Sequence, residues 1–323
     1  MKFNFINKED RTRKKIHKLM DELSKSVNYK GKNKHEYVSK LYTEYSKLCY
    51  ELPEDRSLMF DIFGILNDSY IIESTPILKE VDMDKFAGVV KHLEEIRNGS
   101  HDGLSEEEVE ILLDWTVMNT RNNLSKENDI LNDSLGGSCG FGQSSSLFPL
   151  EDLGLRTTVN NVTDFPISKY RHAFGTVFIP VKVGDRIVTK QYLIDTTYRQ
   201  FFSSLLCNEG RYYSNGFAKD KCSPCAGYFM ARDSEHMEFA THLLKHGHIE
   251  FTPLNAKCYA DGFILGSIGL SEMDKMEEFE KYTGEDMINA VIQGKEEHDY
   301  ERSEFEGWGY NVRVPGLDYS KEL

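Results

Sequence analysis

Residues 134–146 read SLGGSCGFGQSSS, a small, polar, glycine-rich run holding one cysteine, Cys139. A structural cysteine normally sits among Leu, Val and Ile as a small hydrophobe. Cys139 instead stands where a loop is expected to give way to a helix. Unpaired N–H groups and the positive end of the dipole favour a thiolate there. A thiol nucleophile needs a base and a group that orients the base. His172, opening RHAFGTVFI, and Asp195, closing YLIDTT, supply both types in chain order. If the two segments pair about Gly184, His172 and Asp195 fall at one end of a hairpin, close enough for an imidazole–carboxylate hydrogen bond.

These residues carry a family resemblance. Cys139 at a helix start, then LFPLEDLGLRTTVNNV, then His172-Ala173-Phe174 and Asp195-Thr196-Thr197, resembles the core of the transglutaminase-like superfamily, relatives of the papain fold. Papain-like enzymes place the histidine much later, so the spacings of 33 and 23 residues, from 139 to 172 and from 172 to 195, favour the transglutaminase-like order. The resemblance covers roughly residues 134–203. It implies an α+β fold, a nucleophile helix packed on an antiparallel sheet, and Cys139, His172 and Asp195 as the catalytic triad. Gly140 stands where relatives often carry an aromatic residue, Phe174 stands for Trp, and Pro149 is expected to break the nucleophile helix. The Cys139 backbone N–H, Gln143 and Asn132 are the candidate oxyanion donors. Phe174, Tyr198 and Phe201 are the candidate acyl-pocket residues, with Tyr192, Arg199 and Phe202 beside them.

The elements that must position this trio follow from pattern. Before residue 125 the chain reads as helices: DMDKFAGVVKHLEEIRNG starts acidic and ends in Gly99, and Ser105 ahead of Glu108 is a capping box. RHAFGTVFIPVKV and RIVTKQYLIDTTY are β-branched and aromatic, and flank the Val183-Gly184-Asp185-Arg186 turn. DSEHMEFATHLLKHG reads as a helix closed by Gly247. HIEFTPL and CYADGFILGSIGL read as strands, and GWGYNVRVPGLDY as a trailing tail. The expected organisation is a helical region at 1–125 and an α+β catalytic region at 126–323.

Composition bounds the function. The 323 residues suffice for a sizeable core, and 39 Lys+Arg against 53 Asp+Glu give a net charge of −14. That balance argues against nucleic acid and suits a cationic amine. No run is apolar enough for a bilayer, and the first residues lack a signal-peptide core, so no membrane partner and a cytoplasmic location are expected. RTRKKIHKLM reads by default as a solvated helix face. Cys222-Ser223-Pro224-Cys225, with Cys207, Cys258, His246 or His248, lacks an orthodox zinc spacing, so neither metal nor cofactor is expected. His236, His242, His246 and His248 lack an HExxH frame and read as a solvated helix face. The acidic stretch 272–306 reads the same way.

A Cys-His-Asp triad forms an acyl-thioester and passes the acyl group to water or an amine. The expected activity is amide-forming transfer from an acyl-thioester donor to an amine acceptor. The chain also resembles amide-forming cysteine-protease homologues of closthioamide-type thioamide antibiotic assembly. That resemblance implies a carrier-protein thioester as donor and a diamine as acceptor. The alternatives are a cysteine peptidase or amidase, a protein-glutamine deamidase or transglutaminase, and an inactive binding module.

Overall fold

The computed structural model describes residues 8–26, 37, 41, 44, 48, 78, 80–127, 138–161, 172–199, 234–268, 285, 289, 294–295 and 297–319. In chain order the elements are α1 (Lys8–Ser26), α2 (Met83–Arg97), α3 (Glu106–Glu127), α4 (Cys139–Asp152), β1 (Arg156–Asn161), β2 (Ala173–Val183), β3 (Arg186–Ile194), α5 (Ser234–His246), β4 (His248–Glu250), α6 (Pro253–Ile268) and α7 (Arg302–Gly307). The fold class is α+β, with a four-stranded antiparallel sheet ordered β1-β2-β3-β4.

Two compact units divide the chain. One comprises Met1–Pro76, Phe201–Thr241 and Cys258–Tyr282, and the other Ile77–Gln200, His242–Lys257 and Thr283–Leu323. A boundary at residue 125 therefore does not coincide with either unit: α2 and α3 share theirs with the sheet. In the first unit, α1 buries Thr12, Ile16 and Leu19 at helical spacing and leaves Arg11, Lys14, Lys15 and Lys18 in solvent. Apart from α5 before His242 and α6 beyond Lys257, everything below concerns the second unit.

Local chemistry sets the helix starts. The Asp82 carboxylate accepts from the Asp84 and Lys85 N–H groups. The Ser105–Glu108 capping box forms in both directions, at 2.8 and 3.3 Å. The β2–β3 hairpin closes through Gly184-Asp185 between paired Val183 and Arg186, and Gly184 takes φ 61°. Alternate residues of β2, Val177, Ile179 and Val181, enter a core shared with Leu112 of α3 and Leu147 and Leu150 of α4. Gly175 on the same face faces Leu147, whose Cδ2 stands 2.7 Å from where a Cβ would lie.

Three expectations fail here. Pro149 does not break α4, which runs to Asp152. An interior proline costs about 3 kcal/mol, while Leu147, Phe148 and Leu150, all buried, each contribute roughly 1.5–3 kcal/mol. Packing wins. CYADGFILGSI is helix rather than strand: Pro253 sits at the first helical position, Thr252 Oγ1 accepts from the Asn255 N–H at 3.2 Å, and the strand ends at Glu250. The segment after residue 300 is not a tail, because Phe305, Tyr310 and Val312 are buried against Leu124 and Phe148. Arg302 grips Asp152 through two hydrogen bonds of 2.5 and 2.8 Å, so this stretch is not a purely solvated acidic surface. Among the described residues no helix is long and apolar enough to cross a membrane.

Candidate active site

Helix α4 begins at Cys139, where the backbone N–H has no intrahelical acceptor, and the Ser138 side chain makes no capping bond. The helix packs against β2 and β1. Its sequence is small because its neighbours are close. A Cβ on Gly142 would lie 2.4 Å from Thr196 Oγ1 and 3.1 Å from Thr197 Cγ2. Ser144, Ser145 and Ser146 are fully buried. The glycine and serine run thus lets the first turn of α4 reach the end of β3, which carries Asp195.

β2 and β3 stay in register to Gly175 opposite Ile194. Continued one pair further, that register sets Phe174 opposite Asp195, with His172 two residues away, just before β2. His172 Nε2 lies 2.7 Å from Asp195 Oδ2, and both side chains are buried. The Cys139 sulfur lies close enough to the His172 ring and the Ala173 N–H for both to act on its ionisation. Cys139 itself remains partly exposed. Asp195 is fixed in turn: its Oδ1 accepts from the Thr197 N–H at 3.2 Å and the Thr197 hydroxyl at 3.3 Å. Its own N–H donates to the Gly247 carbonyl at 2.8 Å.

The electrostatics favour an ion pair. Burial resists charge on His172, yet the Asp195 carboxylate and the Cys139 sulfur push its pKa up to about 10. Burial also resists the Cys139 thiolate. The His172 hydrogen bond and charge, with the Ala173 N–H, outweigh it and hold the thiol below its ordinary range. Both shifts run toward thiolate beside imidazolium. Beneath the pair lies Arg121 of α3, fully buried, within electrostatic reach of Asp195; burial lowers its pKa to about 9, which leaves it charged. Arg121 Nε donates to the Thr196 carbonyl at 3.0 Å, and its terminal nitrogens donate to the Lys245 and Leu244 carbonyls at 2.7 and 3.3 Å.

No family model, no curated protein and no solved structure matches this chain. The reading of the site therefore rests on its own geometry.

Cys139, His172 and Asp195 come together; the other candidates fare differently. The Gln143 amide donates to the carbonyls of Phe174 at 2.7 Å and Asn160 at 3.2 Å, joining β2 to β1. Both of its N–H bonds are committed, so it is a strut and not an oxyanion donor. Asn132 and Phe201 lie outside the described residues, as do Phe202, Cys207, Cys222 and Cys225. Phe174 and Tyr198 are almost wholly buried, as core residues are. Arg199 is buried too, donating to the Leu244 carbonyl at 3.3 Å rather than walling a pocket. A cavity of about 370 Å³ lies elsewhere, between Leu93 and Arg97 of α2, Leu155 and Phe178. Among the described candidates, the Cys139 N–H, at a helix start, suits the role.

Sequence reading missed three contributors: Thr197, Arg121 and the Ala173 N–H. Only Thr197 carried a signal, since Asp followed two residues later by Thr is an Asx-turn pattern. Gly140 also gains a reason. Tyr300 Cε2 lies 3.4 Å from where its Cβ would be, so an aromatic ring from the segment after residue 297, tilted 35° to Phe141 at 4.8 Å, occupies the space over the helix start.

Proposed function

We propose that the chain is a cysteine-dependent acyltransferase built on a transglutaminase-like core. The Cys139 thiolate attacks an acyl-thioester, the donor thiol leaves with a proton from the His172 imidazolium, and an amine then takes the acyl group as an amide. In the second step neutral His172 accepts the amine proton as Cys139 departs, and Asp195 keeps the ring oriented throughout. The donor in this reading is a carrier-protein thioester and the acceptor a diamine.

The observation that carries the reading is the buried His172–Asp195 pair, with Nε2 tied to the carboxylate at 2.7 Å, acting electrostatically on the Cys139 thiol beside it. A lowered thiol pKa suits transthioesterification, whose rate follows the thiolate fraction. Net charge of −14 suits an amine cation as acceptor.

The test is intact mass after incubation with an acyl-carrier thioester or a simple acyl thioester, with and without a diamine, beside Cys139→Ala. An adduct that requires Cys139 and clears as amide when the diamine is added supports transfer. Clearance at the same rate without amine makes the protein a hydrolase. Absence of an adduct from either donor rejects the thioester reading.

A further inference from the structure

The histidines after α5 do not form a solvated face. His246, closing α5, places Nδ1 2.7 Å from Asp114 Oδ1, and His248, opening β4, places Nε2 2.9 Å from the same oxygen. His248 is buried, and His246 and Asp114 keep only about a tenth of their side-chain surface. Between the two histidines, Gly247 takes φ 68°, and a Cβ there would lie 2.6 Å from Val117 Cγ1. That left-handed residue turns both rings, from adjacent elements, back onto one carboxylate of α3. The donor atoms of Asp114, His246 and His248 all lie within 4.8 Å of one another. The His242 ring stacks on His246 at 4.6 Å.

We propose that Asp114, His246 and His248 form a zinc site. Imidazole and carboxylate at zinc sit about 2.0–2.2 Å from the ion, so tetrahedral neighbours stand roughly 3.3 Å apart. The two nitrogen–oxygen gaps would open by about half an ångström on binding, within the freedom of three side chains. Each imidazole presents a lone pair to the metal by moving its N–H proton to the other ring nitrogen. The fourth position goes to solvent, reached past the partly exposed His246 and Asp114. Two nitrogens and one oxygen suit zinc better than calcium or magnesium, which take oxygen shells.

The cation is a clamp on the active site. Gly247, flanked by the two ligands, accepts the Asp195 N–H at 2.8 Å, and Arg121, seven residues after Asp114 on α3, holds the Lys245 carbonyl at 2.7 Å. Fixing His246 and His248 to α3 therefore fixes the strand end that aims Asp195 at His172.

The test uses the full chain stripped with chelator, dialysed, and titrated with zinc chloride or cobalt chloride. The expected result is about one equivalent bound, a melting temperature raised by several degrees, and loss of at least nine-tenths of the binding in Asp114→Asn and His248→Gln. The cobalt form is expected to show weak visible bands without near-ultraviolet sulfur-to-cobalt charge transfer. That spectrum of the wild-type chain decides the matter even if a variant fails to fold. Substoichiometric binding overturns the site, as does binding that survives both substitutions. Strong sulfur charge transfer also overturns it, by placing the ion on cysteines. None of these readouts depends on acyl transfer.

Discussion

Replacing Asp195 with Asn tests the ion pair directly. The substitution keeps the shape and the Oδ1 that Thr197 grips, and removes the charge that His172 feels at 2.7 Å. The rise of His172 from 6.5 to about 10 corresponds to on the order of 5 kcal/mol in favour of imidazolium. Most of that is supplied by Asp195 working against burial. Without the carboxylate, burial is left opposing a charged ring, the imidazole goes neutral, and the thiolate loses its counter-ion. An ordinary thiol of pKa about 8.5 is roughly 0.3% thiolate at pH 6. The lower intrinsic nucleophilicity of a stabilised thiolate takes back part of that contrast. Alkylation of Cys139 by iodoacetamide, followed by intact mass from pH 4 to 10, should therefore slow at least tenfold at pH 6 in Asp195→Asn and barely change at pH 9.5. A wild-type profile with the inflection of an ordinary thiol would refute the ion pair. Superimposable profiles for the two proteins would refute the role given to Asp195.

The same pair shapes stability against pH. The raised His172 pKa adds stability that is complete below 6.5 and lost as pH rises through about 10; the depressed Cys139 pKa adds stability present above about 9 and lost as pH falls through its folded value. The two slopes oppose one another below about 9, so urea midpoints should fall more steeply with pH above 6.5 in Cys139→Ala than in the wild-type chain. Gly142→Ala drives a Cβ to 2.4 Å from Thr196 Oγ1 and should cost about 1–3 kcal/mol and slow alkylation at pH 7. Gly140→Ala, with Tyr300 at 3.4 Å, should stay within about 0.5 kcal/mol by urea denaturation. Gln143→Met strips the Phe174 and Asn160 carbonyls of a donor and should cost about 2–4 kcal/mol, measured the same way. Gly175→Ala should be partly rescued by Leu147→Ala, because the added methyl meets Leu147 Cδ2 at 2.7 Å; additive costs would refute that contact as the cause.

What was legible in the chain was what local chemistry decides. The Ser105–Glu108 box, the Gly184 turn and the β-branched runs each carry their own signal, and the turn alone fixes the register that brings His172 to Asp195. What was not legible depended on partners distant in sequence. Pro149 reads as a breaker until the buried faces of α4 are counted. The run after Cys258 is apolar enough for either element, and Pro253 with Thr252 decided for helix. His246 and His248 read as surface because Asp114, their acceptor, lies 132 and 134 residues earlier. Gln143 had the chemistry of an oxyanion donor, but its neighbours were two strand carbonyls. The papain- and transglutaminase-like reading of the whole core stays with the proposal, and the antiparallel sheet under α4 is its structural part.

Tyr300 over the start of α4 has a temporal consequence. Cys139, His172 and Asp195 lie within 57 residues of one another, whereas the ring that covers Gly140 arrives 105 residues after Asp195. At about 5–20 residues per second, a ribosome leaves the start of α4 without that ring for roughly 5–20 s before Tyr300 emerges. The Arg302–Asp152 clasp and the Phe305–Phe148 contact close later still. Until Tyr300 is made, the start of α4 at Gly140 lacks the ring that packs against it in the folded chain.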